Sequence, residues 1–447
     1  MTLIASDRHT LIVGLGKTGL SCVRHCRALG RDVSVADSRF NPPGLEQLQR
    51  DYPQVPFHGG PFDPALFSRF NELVVSPGVS LVEPAIVEAA EAGAHISGDI
   101  NLFREATDAP LIAITGSNGK STVTTLFGQM AAEAGRNVAV GGNLGTPALD
   151  LLSENVDLYI LELSSFQLET TMDLKAEAAT VLNVSDDHMD RYPDRISYFQ
   201  AKHRIFQGAR NAIINLDDPL SQPLLNEGMK PHFFGMHRVD LNVFSTREDD
   251  QGLWLTWGLD NILNASQLSV YGDHNIANVL AALALGRAVG LELEPMLEAA
   301  RHFRGLPHRC QTVLERGGVV WINDSKGTNP GATKAAVESL APRDGRLVLI
   351  AGGDAKGADL EPLRRCVRGR VRELVVLGRD APLFSELLSD LVSVTQVSTM
   401  EEAVARATAI AEPGDRVLLS PACSSLDMYA SYEERGERFI SAVEAAG

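Results

Sequence analysis

The sequence predicts an α/β protein built from parallel sheets, and three observations lead to that fold class. Short apolar runs rich in Val, Ile and Leu end in glycine or polar turns and alternate with amphipathic helical stretches, which is typical of strands buried between helices. This alternation recurs three times in 447 residues, a length that suits about three domains. Two of the three segments also carry a glycine-rich turn between a strand and a helix. We therefore expect three domains, at residues 1–98, 99–305 and 306–447.

The strands are predicted from the apolar runs, segment by segment. In the first segment they fall at residues 10–16, 32–38 and 72–79. In the second segment they fall at residues 111–120, 137–142, 157–165, 179–185 and 211–218. A more alternating stretch, 241–270, predicts an antiparallel appendage, and the Ala/Leu-rich stretch 275–290 predicts a helix buried on most of its surface. In the third segment the strands fall at residues 319–325, 346–353, 373–378 and 416–422.

Composition and charge exclude several classes of protein. With 57 Asp and Glu against 40 Lys and Arg the net charge is −17, which argues against a general binder of nucleic acid or of anionic membranes. A few converging cations can still bind an anionic substrate. The N-terminus has no signal-peptide pattern and no run of 18 apolar residues occurs, so we expect a cytoplasmic protein without membrane insertion. Cys22 and Cys26, one helical turn apart, are predicted to be small buried residues.

The first glycine-rich loop has the spacing of a diphosphate-binding turn. Gly14, Gly16 and Gly19 follow a predicted strand and open a helix, and Asp37 ends the next strand. Backbone N–H groups of such a loop bind a diphosphate, and the acid meets a ribose. The same geometry serves a nicotinamide dinucleotide or any nucleoside diphosphate, and a purely structural turn stays open. Lys17 and Arg39 add positive charge for an anionic ligand.

The second loop, Gly116-Ser117-Asn118-Gly119-Lys120-Ser121-Thr122, predicts an ATP site. Its backbone N–H groups can cradle phosphates, Lys120 can reach the β and γ oxygens, and Ser121 can hold Mg²⁺. The loop departs from the usual phosphate-loop pattern, because Ile114 stands where the first glycine belongs. The chain carries two nucleotide loops. An enzyme that binds a nucleotide-tagged substrate on the first loop and ATP on the second therefore fits the sequence better than a dehydrogenase does.

Three further positions are candidates for metal binding or catalysis. Glu162 lies inside an apolar strand, where a carboxylate is costly unless it is paired or bound to a metal. The loop that follows the strand at 179–185 contains Asp186, Asp187 and His188, and His188 is either a ligand or a solvated histidine. Lys202 lies in a helical stretch, and as an unmodified lysine it is expected on a solvated face.

Together these motifs resemble the Mur ligase family over essentially the whole chain. The blocks that carry the resemblance are GLGKTGLS (14–21), ITGSNGKST (114–122), GGNLG (141–145), LELSSFQLE (161–169), DDHMDRY (186–192), GDHNIAN (272–278), GLPHRC (305–310), NDSKGTNP (323–330) and SPACSSLDMY (420–429). The resemblance implies a Rossmann-like first domain that binds UDP, a P-loop ATPase-like central domain and a Rossmann-like third domain. It also implies an ATP-dependent ligase that joins D-glutamate to UDP-N-acetylmuramoyl-L-alanine in peptidoglycan precursor synthesis. We expect the protein to be a monomer.

The resemblance also assigns roles to residues. The UDP substrate is implied to contact Lys17, Thr18, Asp37, Ser38, Arg39, Gly78, Asn143 and His188. ATP is implied to contact Gly116 to Thr122 together with Asn275, Arg309, Asp324 and Lys326. Two Mg²⁺ ions are implied among Ser121, Glu162, His188 and Lys202, with Lys202 carrying a carbamate formed from CO₂, and Lys120, Glu162, His188 and Lys202 are the implied catalytic residues. D-Glutamate is implied to contact Thr328, Lys356, Ser425 and Tyr432.

Other functions remain as alternatives. A dehydrogenase using the first loop would leave Lys120 and Glu162 unexplained. A P-loop ATPase that drives a conformational switch would hydrolyse ATP without an amino-acid acceptor. A related Mur-type ligase that adds another amino acid, or a ligase similar to folylpolyglutamate synthase, would keep the ATP loop, but the second is not expected to carry the UDP loop.

Overall fold

A computed structural model describes residues 9–184, 191–192, 194–342 and 344–446, with only the backbone of Arg195. The chain forms two compact units. One comprises Met1–Leu263 with Asn278–Ala299, and the other comprises Asn264–Ala277 with Ala300–Gly447. The described residues form three sheets, of five, nine and six strands, and each is largely parallel. The predicted α/β class is confirmed.

The first sheet has the strand order β3-β2-β1-β4-β5 and is parallel at every described pairing. Its strands are β1 (Thr10–Val13), β2 (Val33–Asp37), β3 (Phe57–Gly59), β4 (Glu72–Val75) and β5 (His95–Ser97). The helices around it are α1 (Lys17–Ala28), α2 (Leu45–Asp51), α3 (Pro64–Phe67), α4 (Pro84–Glu91) and α5 (Asp99–Ala106). Val13 pairs with both Ala36 and Val75, so the carboxyl ends of β1, β2 and β4 meet at one edge.

The second sheet has the order β14-β13-β12-β11-β10-β9-β6-β8-β7. Its strands are β6 (Leu111–Thr115), β7 (Val138–Gly142), β8 (Leu158–Glu162), β9 (Ala178–Val181), β10 (Asn211–Asn215), β11 (Lys230–Phe234), β12 (Val243–Asp249), β13 (Gly252–Trp257) and β14 (Asp260–Asn264). The helices that follow are α6 (Lys120–Glu133), α7 (Ser165–Thr170), α8 (Arg195–His203), α9 (Asp273–Ala288) and α10 (Leu293–His302). The pairing of β12 with β13 is antiparallel, which confirms the predicted appendage.

The third sheet has the order β15-β16-β20-β17-β18-β19. Its strands are β15 (Gln311–Arg316), β16 (Val319–Asn323), β17 (Leu347–Gly352), β18 (Val371–Leu377), β19 (Ser393–Gln396) and β20 (Arg416–Leu419). Its helices are α11 (Pro330–Leu340), α12 (Pro362–Val367), α13 (Ala381–Leu388), α14 (Met400–Ile410) and α15 (Tyr432–Ala445). Among the described pairings of this sheet, that of β15 with β16 alone is antiparallel, and it lies at the edge.

The hydrophobic core covers both faces of the parallel strands. On the first sheet, Ile12 and Leu11 are fully buried but belong to separate clusters on opposite faces. The third sheet is divided in the same way, with Leu349 in one cluster and Ile350 in the other. Strands buried on two faces read as continuous apolar runs, and that is why they could be predicted from the sequence. Within the described residues, no helix is both long and apolar enough to cross a membrane.

Candidate functional site

The first glycine-rich loop lies at the edge where β1, β2 and β4 end. Gly14 has a φ of +95°, and a Cβ on Gly19 would collide with the carbonyl oxygen of Gly14. The helix α1 therefore approaches the loop closely only because both positions lack a side chain. Ser76, directly after β4, donates its hydroxyl hydrogen to the Gly14 carbonyl oxygen at 3.1 Å. The N-terminus of α1 is thus held against the ends of two neighbouring strands.

Asp37 organises this loop from the end of β2. Its Oδ2 accepts from the Leu15 N–H at 2.7 Å and from Arg39 Nη2 at 2.8 Å, while its Oδ1 accepts from the Arg39 N–H at 2.9 Å and from Arg39 Nε at 2.8 Å. Burial raises the pKa of Asp37, but the bonds from Arg39 and Leu15 outweigh that effect and hold the pKa below its ordinary value. The carboxylate is therefore ionised at neutral pH and fixes both the loop and Arg39.

A cavity of about 450 Å³ opens beside this loop. The residues implied to contact the UDP substrate that line it are Lys17, Thr18, Asp37, Ser38, Arg39, Gly78 and Asn143. His188 lies outside the described residues. The lining also includes Gln167, whose Nε2 donates to Asp99 Oδ2 at 2.9 Å and whose Oε1 accepts from the Ser164 N–H at 3.1 Å. The structure thus brings together the described part of the implied UDP set around one volume.

The second loop connects β6 to α6 and holds Lys120 over its own backbone. Gly119 has a φ of +81° and a Cβ there would collide with Asn278 Oδ1. Lys120 Nζ donates to the carbonyl oxygens of Gly116 at 2.8 Å and Ser117 at 2.9 Å. The loop is anchored to the end of β9, because the Asn118 N–H donates to Asn183 Oδ1 at 2.8 Å. The loop therefore presents a lysine at a strand-to-helix turn, which is the position that the predicted phosphate site requires.

Lys202 is not on a solvated face, so that expectation is wrong. The side chain is 2% exposed, because α8 packs its inner face against the second loop. Lys202 Nζ donates to the carbonyl oxygen of Gly116 at 2.9 Å and lies 4.6 Å from the centre of the Tyr198 ring. The Tyr198 hydroxyl is 3.1 Å from Ser117 Oγ. A buried lysine with these contacts belongs to the loop region, and periodicity could not reveal it.

Glu162 ends β8 beside the second loop, and its burial is confirmed at 2% exposure. Residue pairing sets Ile114 of β6 and Gly142 of β7 directly opposite it. Its Oε1 accepts from Asn143 Nδ2 at 2.6 Å, whereas no described residue donates to its buried Oε2. A buried carboxylate oxygen without a donor fits a cation, since an ionised oxygen buried alone is costly.

The side chains around Glu162 suit magnesium better than a metal ion that is held entirely by protein ligands. Among the described residues no three His, Cys, Asp or Glu side chains converge on one point. Magnesium keeps several waters and is usually bound by one or two carboxylates together with substrate phosphates. Glu162 and the hydroxyl of Ser121, in the first turn of α6, are of the types that such a site needs.

In the other unit, three implied glutamate contacts follow adjacent strand ends. Thr328 comes after β16, Lys356 after β17 and Ser425 after β20, and these strands are neighbours in the sheet. The loops of the last two are tied together, since Asp354 and Ser424 exchange backbone hydrogen bonds at 3.0 and 2.9 Å. Lys356 has a φ of +51° and an exposed side chain. The three residues therefore share one sheet edge.

Arg435, on α15, bonds to the loops that follow these strands, and the sequence did not identify it as a functional candidate. It is 2% exposed and bonds to Ser325 after β16, to the Cys423 carbonyl oxygen after β20 and to the Gly352 carbonyl oxygen at the end of β17. Burial lowers the pKa of Arg435 to about 10, so it stays protonated at neutral pH. The only local signal is its position one turn after Tyr432, which is too weak to identify a buried arginine.

Two implied ATP contacts lie close to this edge of the third sheet. Asp324 Oδ2 accepts from the Ser420 hydroxyl at 2.7 Å, and burial raises the pKa of Asp324 to about 6. Lys326 Nζ lies 4.1 Å from the centre of the Tyr432 ring, which is a cation–π contact. Arg309 is exposed, and Asn275 Nδ2 donates to the Tyr271 carbonyl oxygen at 2.9 Å.

Three family models match successive parts of the chain. They are the MurD-like N-terminal domain of Mur ligases over residues 8–98, the Mur ligase middle domain over residues 114–286, and the Mur ligase glutamate ligase domain over residues 308–423. Their order follows the order of the three sheets.

Similar proteins are found over the full length. A UDP-N-acetylmuramoylalanine--D-glutamate ligase of Marinobacter nauticus is 62% identical over 444 residues, which cover 99% of this chain and 100% of that protein. A ligase of the same name from Pseudomonas syringae pv. tomato is 55% identical and covers 99% of each chain. Among solved structures, the UDP-N-acetylmuramate-alanine ligase of Thermotoga maritima has a TM-score of 0.57 at 19% identity and covers 99% of this chain and 100% of that one, which shows a shared fold.

Proposed function

The chain belongs to the Mur ligase family, and from that premise we propose that it joins D-glutamate to UDP-N-acetylmuramoyl-L-alanine at the expense of ATP. Relatives that are 62% and 55% identical over nearly the full chain carry the name of this ligase. The observation that supports the proposal most is the pair of anion-binding loops in one unit. One opens on a cavity of nucleotide size, and the other holds a lysine over a phosphate cradle.

The first step of the proposed reaction is transfer of the γ-phosphoryl group to the substrate. A carboxylate oxygen of the alanyl end attacks the γ-phosphorus, the bond to the bridging oxygen breaks, and ADP leaves an acyl phosphate behind. Lys120 exchanges its bonds to the loop carbonyl oxygens for bonds to the phosphate and neutralises the charge of the transition state.

In the second step the D-glutamate amine attacks the acyl carbon. A proton leaves the amine, the amide bond forms, and inorganic phosphate departs with one former carboxylate oxygen. We assign the glutamate contacts to Thr328, Lys356, Ser425 and Tyr432, and the remaining ATP contacts to Asn275, Arg309, Asp324 and Lys326. Arg435 keeps the loops of the glutamate contacts in register through its buried bonds.

Magnesium is proposed at Ser121 and Glu162, with Lys202 and His188 as further ligands, and two ions are expected. When bound, the ions supply positive charge to the phosphate oxygens. Glu162 fits this role because its Oε2 is buried without a donor from the described residues. Asn143 orients the other carboxylate oxygen.

Lys202 is proposed to carry a carbamate. The ammonium group would first lose a proton, and the free amine would then form an N–C bond to CO₂ and release a second proton, so that a cation becomes an anion able to bind a cation. Lys202 is 2% exposed and lies beside the phosphate loop. Its burial supports the proposal, because the amine is held at the phosphate site and not in solvent.

We also propose that the protein is cytoplasmic and acts as a monomer, and that its domain boundaries lie near residues 98 and 305.

Transfer of oxygen isotope tests the acyl phosphate. The substrate is labelled with ¹⁸O in both oxygens of the alanyl carboxylate and incubated with Mg²⁺, ATP and D-glutamate. The reaction described above predicts that the released phosphate contains one ¹⁸O atom. Phosphate without the label would mean that water, and not the substrate carboxylate, attacks ATP, and the ligase proposal would be wrong.

A further inference from the structure

Gln167, on α7, borders the cavity beside the first loop, although the residue is only 3% exposed. Its amide has an oxygen that accepts hydrogen bonds and a nitrogen that donates them, and the two ends have nearly the same shape. The neighbours of the amide therefore decide which of the two groups is left for a ligand. Two of these neighbours can bond in one direction only.

Ser164 fixes the oxygen of this amide. The Ser164 N–H donates to Gln167 Oε1 at 3.1 Å, and the Ser164 hydroxyl donates to the same oxygen at 3.3 Å. A backbone N–H cannot accept a hydrogen bond, so Oε1 and not Nε2 must face it. Both lone pairs of the amide oxygen are used in these bonds, so Gln167 has no acceptor left for a ligand.

Asp99 fixes the nitrogen from the start of α5. It is 2% exposed, and its Oδ2 accepts from Gln167 Nε2 at 2.9 Å. Burial raises the pKa of Asp99 to about 6, which leaves the carboxylate ionised at neutral pH. An ionised carboxylate only accepts, whereas an asparagine could turn either end of its amide toward Gln167. The second oxygen of Asp99, Oδ1, is buried without a donor from any described residue, a cost that a simple link between two helices does not require.

We infer that Asp99 is a positioning residue for the UDP substrate, because it holds the Gln167 amide so that an N–H is presented to an acceptor oxygen of the substrate. Among the described residues Asp99 alone accepts from Nε2, so one of the two amide hydrogens is left. The backbone lets the two helices approach, since a Cβ on Gly98 would collide with Thr170 Oγ1. The inference rests on the proposed function, since it assumes that the UDP substrate occupies this cavity.

Reversing the direction of the bond tests the inference. In the double variant Asp99→Asn with Gln167→Glu, the new amide donates to the new carboxylate. The bond between α5 and α7 is then kept, but no N–H is left for the substrate. The thermal midpoint should stay close to that of the wild type, and calorimetry should show binding of UDP-N-acetylmuramoyl-L-alanine at least about ten-fold weaker. Wild-type affinity in the double variant would overturn the inference, because the bond would then suffice in either direction.

A second experiment shows whether Asp99 acts through Gln167. Asp99→Leu has a similar shape but accepts no hydrogen bond. It should raise the KM for the UDP substrate about three- to ten-fold, while kcat and the KM for ATP stay constant. In a Gln167→Met background the same change should raise this KM no further. Additive losses, or an unchanged KM in Asp99→Leu, would contradict the role of Asp99.

Asn101→Ala is the matched control, since it removes another link between α5 and the end of α7 without a change at Gln167. Asn101 Nδ2 donates to the Thr170 carbonyl oxygen at 2.7 Å, and its Oδ1 accepts from the Met172 N–H at 3.0 Å. The variant should lower the thermal midpoint and leave the KM for the UDP substrate within about twofold of the wild type. A rise as large as that in Asp99→Leu would mean that the contact between the helices, and not the orientation of Gln167, sets the affinity. If the wild-type protein itself did not bind the UDP substrate, the proposed function would fail, and not only the role of Asp99.

Discussion

Lys120 and Lys202 donate to the same atom, the carbonyl oxygen of Gly116, at 2.8 and 2.9 Å. One lysine begins α6 and the other lies on α8, so two separate helices direct ammonium groups at one point of the phosphate loop. Both lysines therefore lie at the loop for which phosphate binding is proposed.

Lys120→Ala should reduce turnover by at least about 10³-fold, because the side chain is proposed to neutralise charge only as the phosphoryl group transfers. Binding of the UDP substrate should stay nearly unchanged, since its cavity is lined by other residues. Phosphate release and calorimetry measure the two effects. Lys175→Ala, at an exposed lysine paired with Asp173, is the matched control. An equal loss of turnover and substrate binding would mean that the two loops do not form separate sites.

Lys202→Ala should lower activity, and short carboxylic acids such as acetate should restore part of it. The added acid supplies the anion that a carbamate would provide. In the wild-type protein, ¹³C-labelled bicarbonate should give a carbamate signal in the NMR spectrum, and that signal should be absent from Lys202→Ala but present in Lys230→Ala. A folded variant that no acid rescues, together with an unlabelled wild type, would contradict a metal-binding carbamate.

Glu162→Gln should lower activity at least about 100-fold and raise the Mg²⁺ concentration needed for half-maximal rate. Its stability should not fall, because the neutral amide replaces a buried carboxylate whose Oε2 has no donor among the described residues. The thermal midpoint without Mg²⁺ and the Mg²⁺ dependence of phosphate release measure the two effects. Glu154→Gln, at an exposed glutamate, serves as the control. A variant with full activity at low Mg²⁺ would remove Glu162 from the metal site.

Asp99→Asn should make the protein relatively more stable as the pH rises. Burial raises the pKa of Asp99 to about 6, above its ordinary value of 3.8, so the folded protein holds a proton that the unfolded chain has lost between these values. The wild type therefore loses stability from about pH 4 to pH 6, by up to about 3 kcal/mol, and the variant lacks that loss. Calorimetric midpoints at pH 4.5 and 7.5 test this. A constant difference between variant and wild type would show an ordinary pKa.

Tyr432→Phe should retain activity within about twofold, whereas Tyr432→Ala should raise the KM for D-glutamate or ATP. The ring holds the Lys326 ammonium group at 4.1 Å, and phenylalanine keeps that face. Steady-state kinetics with each substrate varied in turn measure both variants. A large loss in Tyr432→Phe would instead assign the function to the hydroxyl group.

Much of the fold was predictable because its central strands are buried on two faces. Within β1, β6, β17 and β20, residues 11–13, 111–114, 347–351 and 417–419 are buried and apolar without interruption. The strands that the sequence did not indicate, β3, β5, β11, β15 and β19, are short or partly exposed, and all of them except β11 lie at sheet edges. Their pairing depends on neighbouring strands that are distant in sequence, so no local sequence pattern predicts them.

The candidate site also contains some residues that the sequence could predict and others that it could not. Glycine spacing revealed both loops, since a turn that needs close backbone approach leaves its mark in the sequence. Lys202, Tyr198 and Arg435 could not be placed, because their burial results from packing between helices and loops that no periodicity encodes. His188 remains a prediction from the sequence.

The most direct test of the central claim is phosphate release from ATP with Mg²⁺ and UDP-N-acetylmuramoyl-L-alanine. Reactions with D-glutamate, L-glutamate, meso-diaminopimelate and no amino acid are compared. The account predicts release that depends on D-glutamate alone and that matches the amount of amide product. Release without any amino acid would indicate an ATPase, and release with a different amino acid would indicate another ligase; either result would contradict the proposed function.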